Sequence, residues 1–332
     1  MKKHWTKWLA CGALIATTFN ISAKTYKWDM PNEYPGTSVQ GQGDQYFSAK
    51  LKEFSQGDIE IVHHFGGALG FRSKDQLDAV ADGAVILANT FVPPLGGVNP
   101  IFTLSSLPFL VSTPEDAKRL YEISKPYYNK HLAKYNQKLL YASPWPASGL
   151  WGKKAYTNMA SIKNLKMRSY DINSSRVFRD AHANPVQLSW GDIVPQLTTG
   201  GIDAVLTSVE SGLSASFNDY TKFFTAIHYD STINIVTMNL DMWEELSESH
   251  QQAIEKAAQS TEAFVWDNIH QVIAKNYETA ASRGVTVITD PDPSFLDEMK
   301  KLAEHVIQAW VKSMGKDGEE IIQQYRQHTK AQ

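Results

Sequence analysis

The sequence has no excess of positive charge, almost no cysteine and no nucleotide-binding motif. Its 332 residues carry a formal net charge of -3 at pH 7, and they contain no long run of lysine or arginine. A nucleic-acid-binding protein would normally show a basic patch, and a charged membrane-surface protein a basic cluster, so both classes are disfavoured. Neither a GxxxxGK[ST] loop nor a strand-linked GxGxxG turn is present to bind ATP or a dinucleotide.

Catalytic motifs are missing as well. The sequence contains no GxSxG nucleophile turn and no HExxH zinc motif. His63 and His64 are neighbours on a predicted strand, so their imidazoles point to opposite faces and would not converge on one metal ion. The acidic residues at 244–245 and at 290 and 292 lie at a helix start and in a turn, where carboxylates serve as caps. We therefore predict a protein that is not an enzyme and that needs no metal or other cofactor.

The N-terminal residues have the pattern of a secretory signal peptide. Lys2, Lys3 and Lys7 supply a positive start, and residues 8–21 form an apolar stretch that is short for a membrane span. Small residues at the end of this stretch suit signal peptidase, so we predict cleavage after Ala23 and a mature chain in the periplasm. The alternative, an uncleaved anchor, is disfavoured because no hydrophobic stretch follows.

Cys11 is the single cysteine of the sequence and lies inside this segment. A lipoprotein would need a full hydrophobic region before its cysteine, whereas only residues 8–10 separate Cys11 from Lys7. The mature chain is therefore predicted to have no cysteine, which excludes a disulfide, a thiol nucleophile and a cysteine-based metal site.

The composition and the order of local patterns predict a two-lobed α/β protein. Hydrophobic residues make up 42% and charged residues 20%, which is typical of a soluble globular chain. The length exceeds the size at which one hydrophobic core usually splits into two. Strand and helix patterns alternate, which predicts α/β architecture. The predicted strands are 24–30, 59–64, 84–89, 139–143, 149–157, 166–170, 204–207, 233–239 and 285–288. The predicted helices are 39–56, 73–82, 114–124, 127–135, 174–182, 192–199, 241–244, 248–284 and 294–325.

Proline sets the predicted end of one of these helices, and length indicates the role of another. Pro126 is expected to end the helix that begins at Pro114, because proline lacks a backbone N–H. The pattern over 248–284 is long for a compact domain, and a helix of this length suggests an element that spans two lobes.

Two stretches carry a family resemblance. Residues 162–169 read Ile-Lys-Asn-Leu-Lys-Met-Arg-Ser, and residues 183–204 contain Ala-Asn-Pro-Val, Trp-Gly-Asp-Ile, Gln-Leu and Gly-Gly-Ile-Asp-Ala in that order. Together with Gly-Ala-Leu-Gly at 67–70 and Leu-Pro-Phe-Leu at 107–110, they resemble the signature core of TRAP transporter solute receptors, the DctP-like family. The likeness extends over essentially the whole mature chain.

The resemblance implies a periplasmic-binding-protein fold of the type II-like kind, with a ligand cleft between two lobes. Lobe 1 would comprise residues 24–148 with a returning segment at about 232–248, lobe 2 residues 149–231, and the helical part 249–332 would brace both. It also implies a receptor that closes on a small organic anion and delivers it to the small and large TRAP membrane subunits. We further predict a monomer. An ABC-type binding protein would share this fold, and a periplasmic enzyme acting on a small acid is a further alternative.

Arg168 is the residue that the resemblance assigns to the ligand carboxylate. An arginine between Met167 and Tyr170, in an apolar strand, is costly to bury without an anion. Its planar guanidinium suits bidentate carboxylate recognition. The alternative is a structural ion pair between Arg168 and Asp171, or between Arg168 and an acid of the other lobe.

Departures from the family pattern concern the ligand. Many relatives carry a second arginine in the region that here spans 147–151, and this chain has none there. Ala204 and Thr207 replace a glycine and an asparagine that are frequent in the family. Fewer anion-binding groups favour a monocarboxylate, which would be aromatic or branched if tryptophans wall the pocket.

The remaining candidate ligand-binding residues are aromatic or polar. Trp145, Trp151 and Trp190 are candidate pocket walls, which would suit an apolar acid or, by cation–π contact, a cationic group. The alternative is that they are core tryptophans. The further candidates near family cleft positions are Asn32, Tyr34, Phe65, Asn89, Phe91, Phe109, Ser148, Tyr170, Thr207 and Ser208.

Overall fold

The computed structural model describes residues 25–329. The predicted signal peptide and Cys11 lie outside these residues. Between residues 25 and 329, no helix is both long enough and apolar enough to cross a membrane. The described chain alternates strands and helices through most of its length, and its last third is largely helical.

The strands are β1 (Tyr26–Pro31), β2 (Ile59–His64), β3 (Leu87–Phe91), β4 (Gln137–Pro144), β5 (Ser148–Gly152), β6 (Lys166–Ser169), β7 (Asn184–Gln187), β8 (Ala204–Ser208), β9 (Phe223–Thr225), β10 (Ile233–Asn239) and β11 (Thr286–Ile288). The α-helices are α1 (Val39–Phe54), α2 (Ser73–Ala81), α3 (Pro114–Leu132), α4 (Met159–Ile162), α5 (Ile172–Asp180), α6 (Ile193–Thr199), α7 (Val209–Ser214), α8 (Leu240–Glu245), α9 (Glu248–Ser282), α10 (Pro293–Met314) and α11 (Lys316–Thr329). Short 3-10 helices lie at Pro93–Gly97, Pro100–Ser106, Ala133–Tyr135, Trp190–Asp192 and Phe217–Asp219.

The strands form two separate layers. On one side, β3, β10 and β4 make an antiparallel sheet, and the parallel pair β1–β2 is linked to it by a bridge between Asn32 and Asn89. On the other side, the strand order is β11-β9-β5-β8-β6-β7, with β6 parallel to both β7 and β8. The fold is the two-lobed α/β fold that the sequence analysis predicts.

Two crossing segments connect the layers. One joins β4 to β5, the other joins β9 to β10, and they run side by side. Trp145 N donates to Thr232 O at 2.8 Å, Ser148 N donates to Asp230 O at 2.9 Å, and Tyr229 N donates to Ser148 O at 2.9 Å. Because the chain passes twice through this strip, the strip is the natural hinge between the lobes.

Helix α9 spans both lobes, as its sequence length indicates. Its 35 residues correspond to ~50 Å of helix. Ile254 and Ala257 pack in the core around α1 and β1, Trp266 packs in the core of α3 and β4, and Ala280 packs in the core of the six-stranded sheet. One helix therefore contributes to three clusters of buried side chains.

The structure corrects two of the helix predictions. Helix α3 continues through Pro126 instead of ending before it. Pro126 lies on the exposed face, while Leu120, Tyr128 and Leu132 continue the buried stripe on the other face, so packing outweighs the one hydrogen bond that proline removes. The single predicted C-terminal helix is two helices, separated at Gly315, whose φ of 60° interrupts the α conformation.

Short elements account for the other differences. The strands β7 and β9 and the helix α7 were not predicted, and each spans six residues or fewer. Such segments are too short to show a period. Strand β3 begins at Leu87 instead of 84, and β5 ends at Gly152 instead of 157.

Candidate functional site

A small cavity lies where the two layers meet, beside the crossing segments. The empty space within it, including the part that is open to solvent, measures about 250 Å³. Its lining combines aromatic rings, hydroxyl groups and one guanidinium, contributed by Tyr34, Phe91, Trp145, Ser148, Arg168, Tyr170, Thr207, Ser208, Ser211 and Thr232. Eight of these ten are predicted candidates, and Ser211 and Thr232 are additional. A larger groove between α10 and α11 lies on the open surface and shares no residue with this cavity.

Arg168 is the charged group of the cavity. It sits near the carboxyl end of β6, between β7 and β8, and is 2% exposed. Its Nε donates to Leu188 O at 3.1 Å and its Nη1 donates to Leu206 O at 3.0 Å. Among residues 25–329, no acceptor bonds Nη2. The backbone thus holds one edge of the guanidinium and leaves donor capacity at the other.

The ion pair that the sequence analysis gives as the alternative role of Arg168 is not formed. No described carboxylate lies within ion-pair distance of Arg168, and Asp171 is used elsewhere. Asp171 caps α5 by accepting from Ser174 N at 2.7 Å, and its second oxygen accepts from Ser106 Oγ. Burial lowers the pKa of Arg168, and this loss of hydration is the cost that a bound anion would offset.

Three aromatic side chains form one wall of the cavity. The ring of Tyr34 lies 4.7 Å from that of Trp145 and 6.2 Å from that of Phe91, measured between centroids. Phe91 also meets Tyr170 edge to face at 5.6 Å, and the Arg168 guanidinium carbon lies 5.2 Å from the Tyr170 ring centre. The wall therefore continues from apolar rings to the guanidinium without a gap.

Hydroxyl groups form a second part of the lining, the hydroxyl wall. Ser208 caps α7 by accepting from Ser211 N at 3.1 Å, and the two hydroxyl oxygens are 2.9 Å apart. Thr207 precedes them at the end of β8, and Ser148 and Thr232 come from the crossing segments. Hydroxyls both donate and accept, so this wall suits neutral polar groups of a ligand. Ser211 has a sequence signal, because it stands three residues after a serine that follows a strand, as in a helix cap.

The other two predicted tryptophans do not line the cavity. Trp151 is fully buried, its Nε1 donates to Ser208 O at 3.0 Å, and its ring contacts Phe217 and Phe224. Trp190 packs between Tyr34 at 5.0 Å and Phe217 at 5.6 Å. Both have the environment of core tryptophans.

Four further candidates also lie outside the lining. Phe65 stacks on His63 at 5.1 Å, and Phe109 meets Tyr229 at 5.2 Å. Asn32 and Asn89 are fully buried and both donate to Asp44, behind the aromatic wall. Direct ligand contact by these four residues stays a prediction.

Contacts across the cleft hold the lobes together around the cavity. Val39 N, at the start of α1, donates to Glu210 Oε1 of α7 at 3.1 Å. The Glu33 carboxylate accepts from Ser73 N of the same lobe at 3.0 Å. It also accepts from Gly191 N of the other lobe at 3.4 Å. The arrangement is that of a closed binding protein.

An outer pair lies nearer to solvent. Arg72 bonds Asp192 across the cleft, and each side chain is 41% exposed. The Arg72–Asp192 pair differs in its exposure from the interlobe contact of Glu210, which is buried.

A two-lobed α/β fold with an interlobe cavity around a buried arginine defines the class of solute-binding proteins. Residues 32–314 match the family model of bacterial extracellular solute-binding proteins, family 7, named DctP, and the chain belongs to this family. It is a TRAP transporter solute receptor and not an enzyme. The family match decides against the ABC-type alternative.

Similar proteins match this chain over most of its length. A marine metagenome TRAP solute-binding protein from an unidentified microbe, specific for pyroglutamate, is 28% identical, with a TM-score of 0.87 over 92% of this chain and 99% of that one. A Bordetella pertussis receptor binding pyroglutamic acid, DctP7, is 26% identical with the same TM-score over 90% and 99%. The ectoine/5-hydroxyectoine-binding periplasmic protein UehA of Ruegeria pomeroyi is 24% identical over 94% of this chain and 93% of its own.

Proposed function

We propose that this receptor captures a small organic anion with a single carboxylate, which pairs with Arg168 in the interlobe cavity. The observation that carries the proposal is the state of Arg168. Its guanidinium is buried, two backbone carbonyls hold one edge of it, and no described carboxylate neutralises it. An unpaired buried charge is costly, and a ligand carboxylate would supply the missing partner.

The rest of the ligand is proposed to be compact and uncharged. A water-sized sphere can occupy only about 10 Å³ of the cavity, far below the usual range of roughly 300–1,000 Å³ for small-molecule pockets, so the walls would have to part to admit a ligand, and a compact ligand would require the least opening. The cavity lining contains no carboxylate and no second cation among the described residues, so neither a cationic group nor a second acid group has a charged partner there. The hydroxyl wall suits neutral donors and acceptors, and the aromatic wall suits a flat or apolar ring.

A cyclic monocarboxylate with an uncharged ring, such as pyroglutamate, fits this description. It has one carboxylate, and its lactam offers one donor and one acceptor to hydroxyl groups. The two pyroglutamate receptors with the same fold support this choice. A zwitterionic ring such as ectoine is the second candidate, because UehA is similar to this chain and the rings of Tyr34, Phe91 and Trp145 could face a cation.

The proposed mechanism is reversible capture by hinge closure. The lobes would be those of the sequence analysis, residues 24–148 with 232–248 and residues 149–231, moving about the paired crossing segments. A ligand that contacts both walls binds the closed state better than the open one and shifts the population toward it. The closed receptor would then deliver the ligand to the TRAP membrane subunits. We further propose export to the periplasm through a signal peptide cleaved after Ala23, and a monomeric receptor.

A thermal-unfolding screen of the mature protein tests the ligand class. The panel would contain pyroglutamate, branched and aromatic monocarboxylates, a dicarboxylate, ectoine and an uncharged lactam. A ligand at a hundred times its Kd adds about 2.7 kcal/mol of stability. We expect a clear rise in Tm with pyroglutamate or another compact monocarboxylate and none with the lactam.

Variants of Arg168 test the site. Arg168→Ala should remove the ligand-dependent rise, and Arg168→Lys should restore little of it, since lysine lacks the planar fork. Arg176→Ala, on the exposed face of α5, is the matched control and should keep it. An acid that stabilises Arg168→Ala as much as the wild type would contradict the proposal.

A further inference from the structure

We infer that Asp44, which does not line the cavity, is a positioning residue for the ligand site: its carboxylate sets the direction of a chain of side-chain amides that ends on the indole N–H of Trp145. The inference rests on the proposed function in one respect, that Trp145 belongs to the ligand site. The chain itself follows from the contacts of the buried side chains.

Asp44 is a fully buried acid on α1, surrounded by donors. Its Oδ2 accepts from Asn32 Nδ2 at 2.7 Å, and its Oδ1 accepts from Asn89 Nδ2 at 2.6 Å and from Tyr141 OH at 3.1 Å. The donors come from the end of β1, from β3 and from β4, so the carboxylate ties one helix to three strands. Burial raises the pKa of Asp44 to about 7, and the three donors oppose that rise.

The first branch leads from Asp44 to Trp145. Asn89 gives its amino group to Asp44, so its Oδ1 is free to accept, and it accepts from Asn234 Nδ2 at 2.6 Å. Asn234 in turn presents its Oδ1 to Trp145 Nε1 at 2.7 Å. A carboxylate only accepts and an indole N–H only donates. With these two groups at the ends, both amides have one consistent orientation.

The second branch leads from Asp44 to Tyr34. Asn32 gives its amino group to Asp44, and its Oδ1 accepts from Tyr34 N at 2.8 Å. The rings of Tyr34 and Trp145 then lie 4.7 Å apart in the aromatic wall. The two branches thus start on the two oxygens of one carboxylate and end on the indole N–H of Trp145 and the backbone N–H of Tyr34, two residues whose rings are in contact and line the cavity.

This arrangement gives the buried acid a role beyond stability. Apolar residues of similar volume could fill the same space at no loss of stability, and often with a gain. A fully satisfied polar network instead holds its members in one arrangement. Asp44 therefore restricts the indole of Trp145 to the orientation in which its N–H points away from the ligand and its ring faces the cavity.

Asp44→Asn is the direct test, because it keeps the size and removes the acceptor-only character. The amide NH₂ of the variant faces either Asn89, which breaks the branch to Trp145, or Asn32, which breaks the branch to Tyr34. In the ligand-free protein at pH 8, where Asp44 is ionised, and with ¹⁵N-labelled tryptophan and tyrosine, the indole N–H resonance of Trp145 or the backbone N–H resonance of Tyr34 should shift. These two resonances are assigned from Trp145→Phe and Tyr34→Phe. Asp78→Asn, an exposed acid on α2, should leave both unchanged. This readout needs no ligand, so it stays informative if the proposed function fails.

A double-mutant cycle then separates positioning from general damage. With the ligand found in the screen, Asp44→Asn should weaken binding about tenfold, the scale of one lost buried hydrogen bond. In the Trp145→Phe background, Asn234→Ala, which cuts only the branch to Trp145, should change Kd less than about twofold, because the end of that branch is gone. Equal effects of Asn234→Ala in both backgrounds, or no shift of either resonance in Asp44→Asn, would overturn the inference.

Asn234→Ala keeps the test possible if Asp44→Asn does not fold. It cuts the first branch and leaves Asp44 with its three donors. It should shift the Trp145 indole resonance and weaken binding as Asp44→Asn does. If the Trp145 indole resonance of folded Asn234→Ala stays at its wild-type position, the proposed series of hydrogen-bonded amides from Asp44 to Trp145 is refuted.

Discussion

Glu210 on α7 accepts a hydrogen bond from the backbone N–H of Val39 on α1, across the cleft, at 3.1 Å. The N-terminus of α1 carries the positive end of the helix dipole, which favours a carboxylate. Closure nevertheless buries Glu210 almost completely, and its Oε2 finds no partner among the described residues. Burial raises the pKa of Glu210 to about 7, more than the bond from Val39 lowers it. Tyr34 is its titratable neighbour.

We predict that closure takes up a proton at Glu210. In an open receptor this carboxyl would be hydrated and have an ordinary pKa near 4.3. The closed state then binds more protons than the open state between pH ~4.3 and ~7, so ligand affinity should fall as pH rises through this window and level off above it. Glu210→Gln should flatten the profile. Titration calorimetry at pH 6 in buffers of different ionisation enthalpy measures the uptake directly, and no buffer dependence in the wild type would contradict the prediction.

The exposed pair Arg72–Asp192 should contribute much less to closure. Both side chains are 41% exposed, and exposed ion pairs contribute about 0–1 kcal/mol. We expect Asp192→Asn to weaken ligand binding by less than about fivefold, the upper end of that range. The effect should disappear in 1 M salt, where the screening length is about 3 Å. Calorimetry at low and high salt checks this, and a loss that persists at high salt would show that Asp192 acts by another contact.

The family resemblance singled out Arg168, while its contacts could not be predicted from the sequence. Burial cost alone left open an ion pair with Asp171 or with an acid of the other lobe. Its backbone partners, Leu188 O and Leu206 O, lie 20 and 38 residues away. They reach Arg168 because β6 lies between β7 and β8, and this strand order does not follow from any local pattern.

The contacts of the tryptophans and asparagines could not be predicted from local sequence patterns either. Trp145 and Trp151 are equally aromatic and close in sequence, yet one faces the cavity from a crossing segment and the other faces Phe224 in the core. Asn32 and Asn89 were placed near the cleft, and they are near it, but they bond Asp44, 12 and 45 residues away. Nothing in the local sequence marks Asp44, because an acid on a helix is usually solvated.

Gly212 should tolerate no side chain, because α7 packs directly on Trp151. A Cβ at Gly212 would overlap the indole of Trp151, which would have to move. Overpacking of this kind costs ~1–3 kcal/mol, so Gly212→Ala should lower Tm by several degrees. Gly191→Ala is the matched control: its Cβ would meet nothing within 4 Å, and its Tm should stay near the wild-type value. Equal Tm values for the two variants would show that α7 can shift away from Trp151 without cost.

Tyr170→Phe should destabilise the protein more at pH 8 than at pH 5. Tyr170 OH donates to Asp230 in the hinge, and burial raises the pKa of Asp230 to about 7 while this bond lowers it. An acid whose pKa is raised by folding binds more protons in the folded state, so stability falls as pH rises from its ordinary value to its folded one. Removing the Tyr170 donor raises the pKa of Asp230 further and leaves the ionised carboxylate with one donor fewer at pH 8, whereas at pH 5 the carboxyl group is protonated.

Thermal unfolding of both proteins at pH 5 and pH 8 measures this difference. Tyr156→Phe is the control, since no described acceptor bonds the Tyr156 hydroxyl and burial raises the pKa of Tyr156 to about 12, outside the tested range. Equal losses for Tyr170→Phe at the two pH values would mean that Asp230 does not titrate between them. A larger loss at pH 8 would show that Tyr170, in the cavity lining, stabilises the ionised form of Asp230 in the hinge. Such a link between the ligand site and the hinge is what closure driven by a ligand requires.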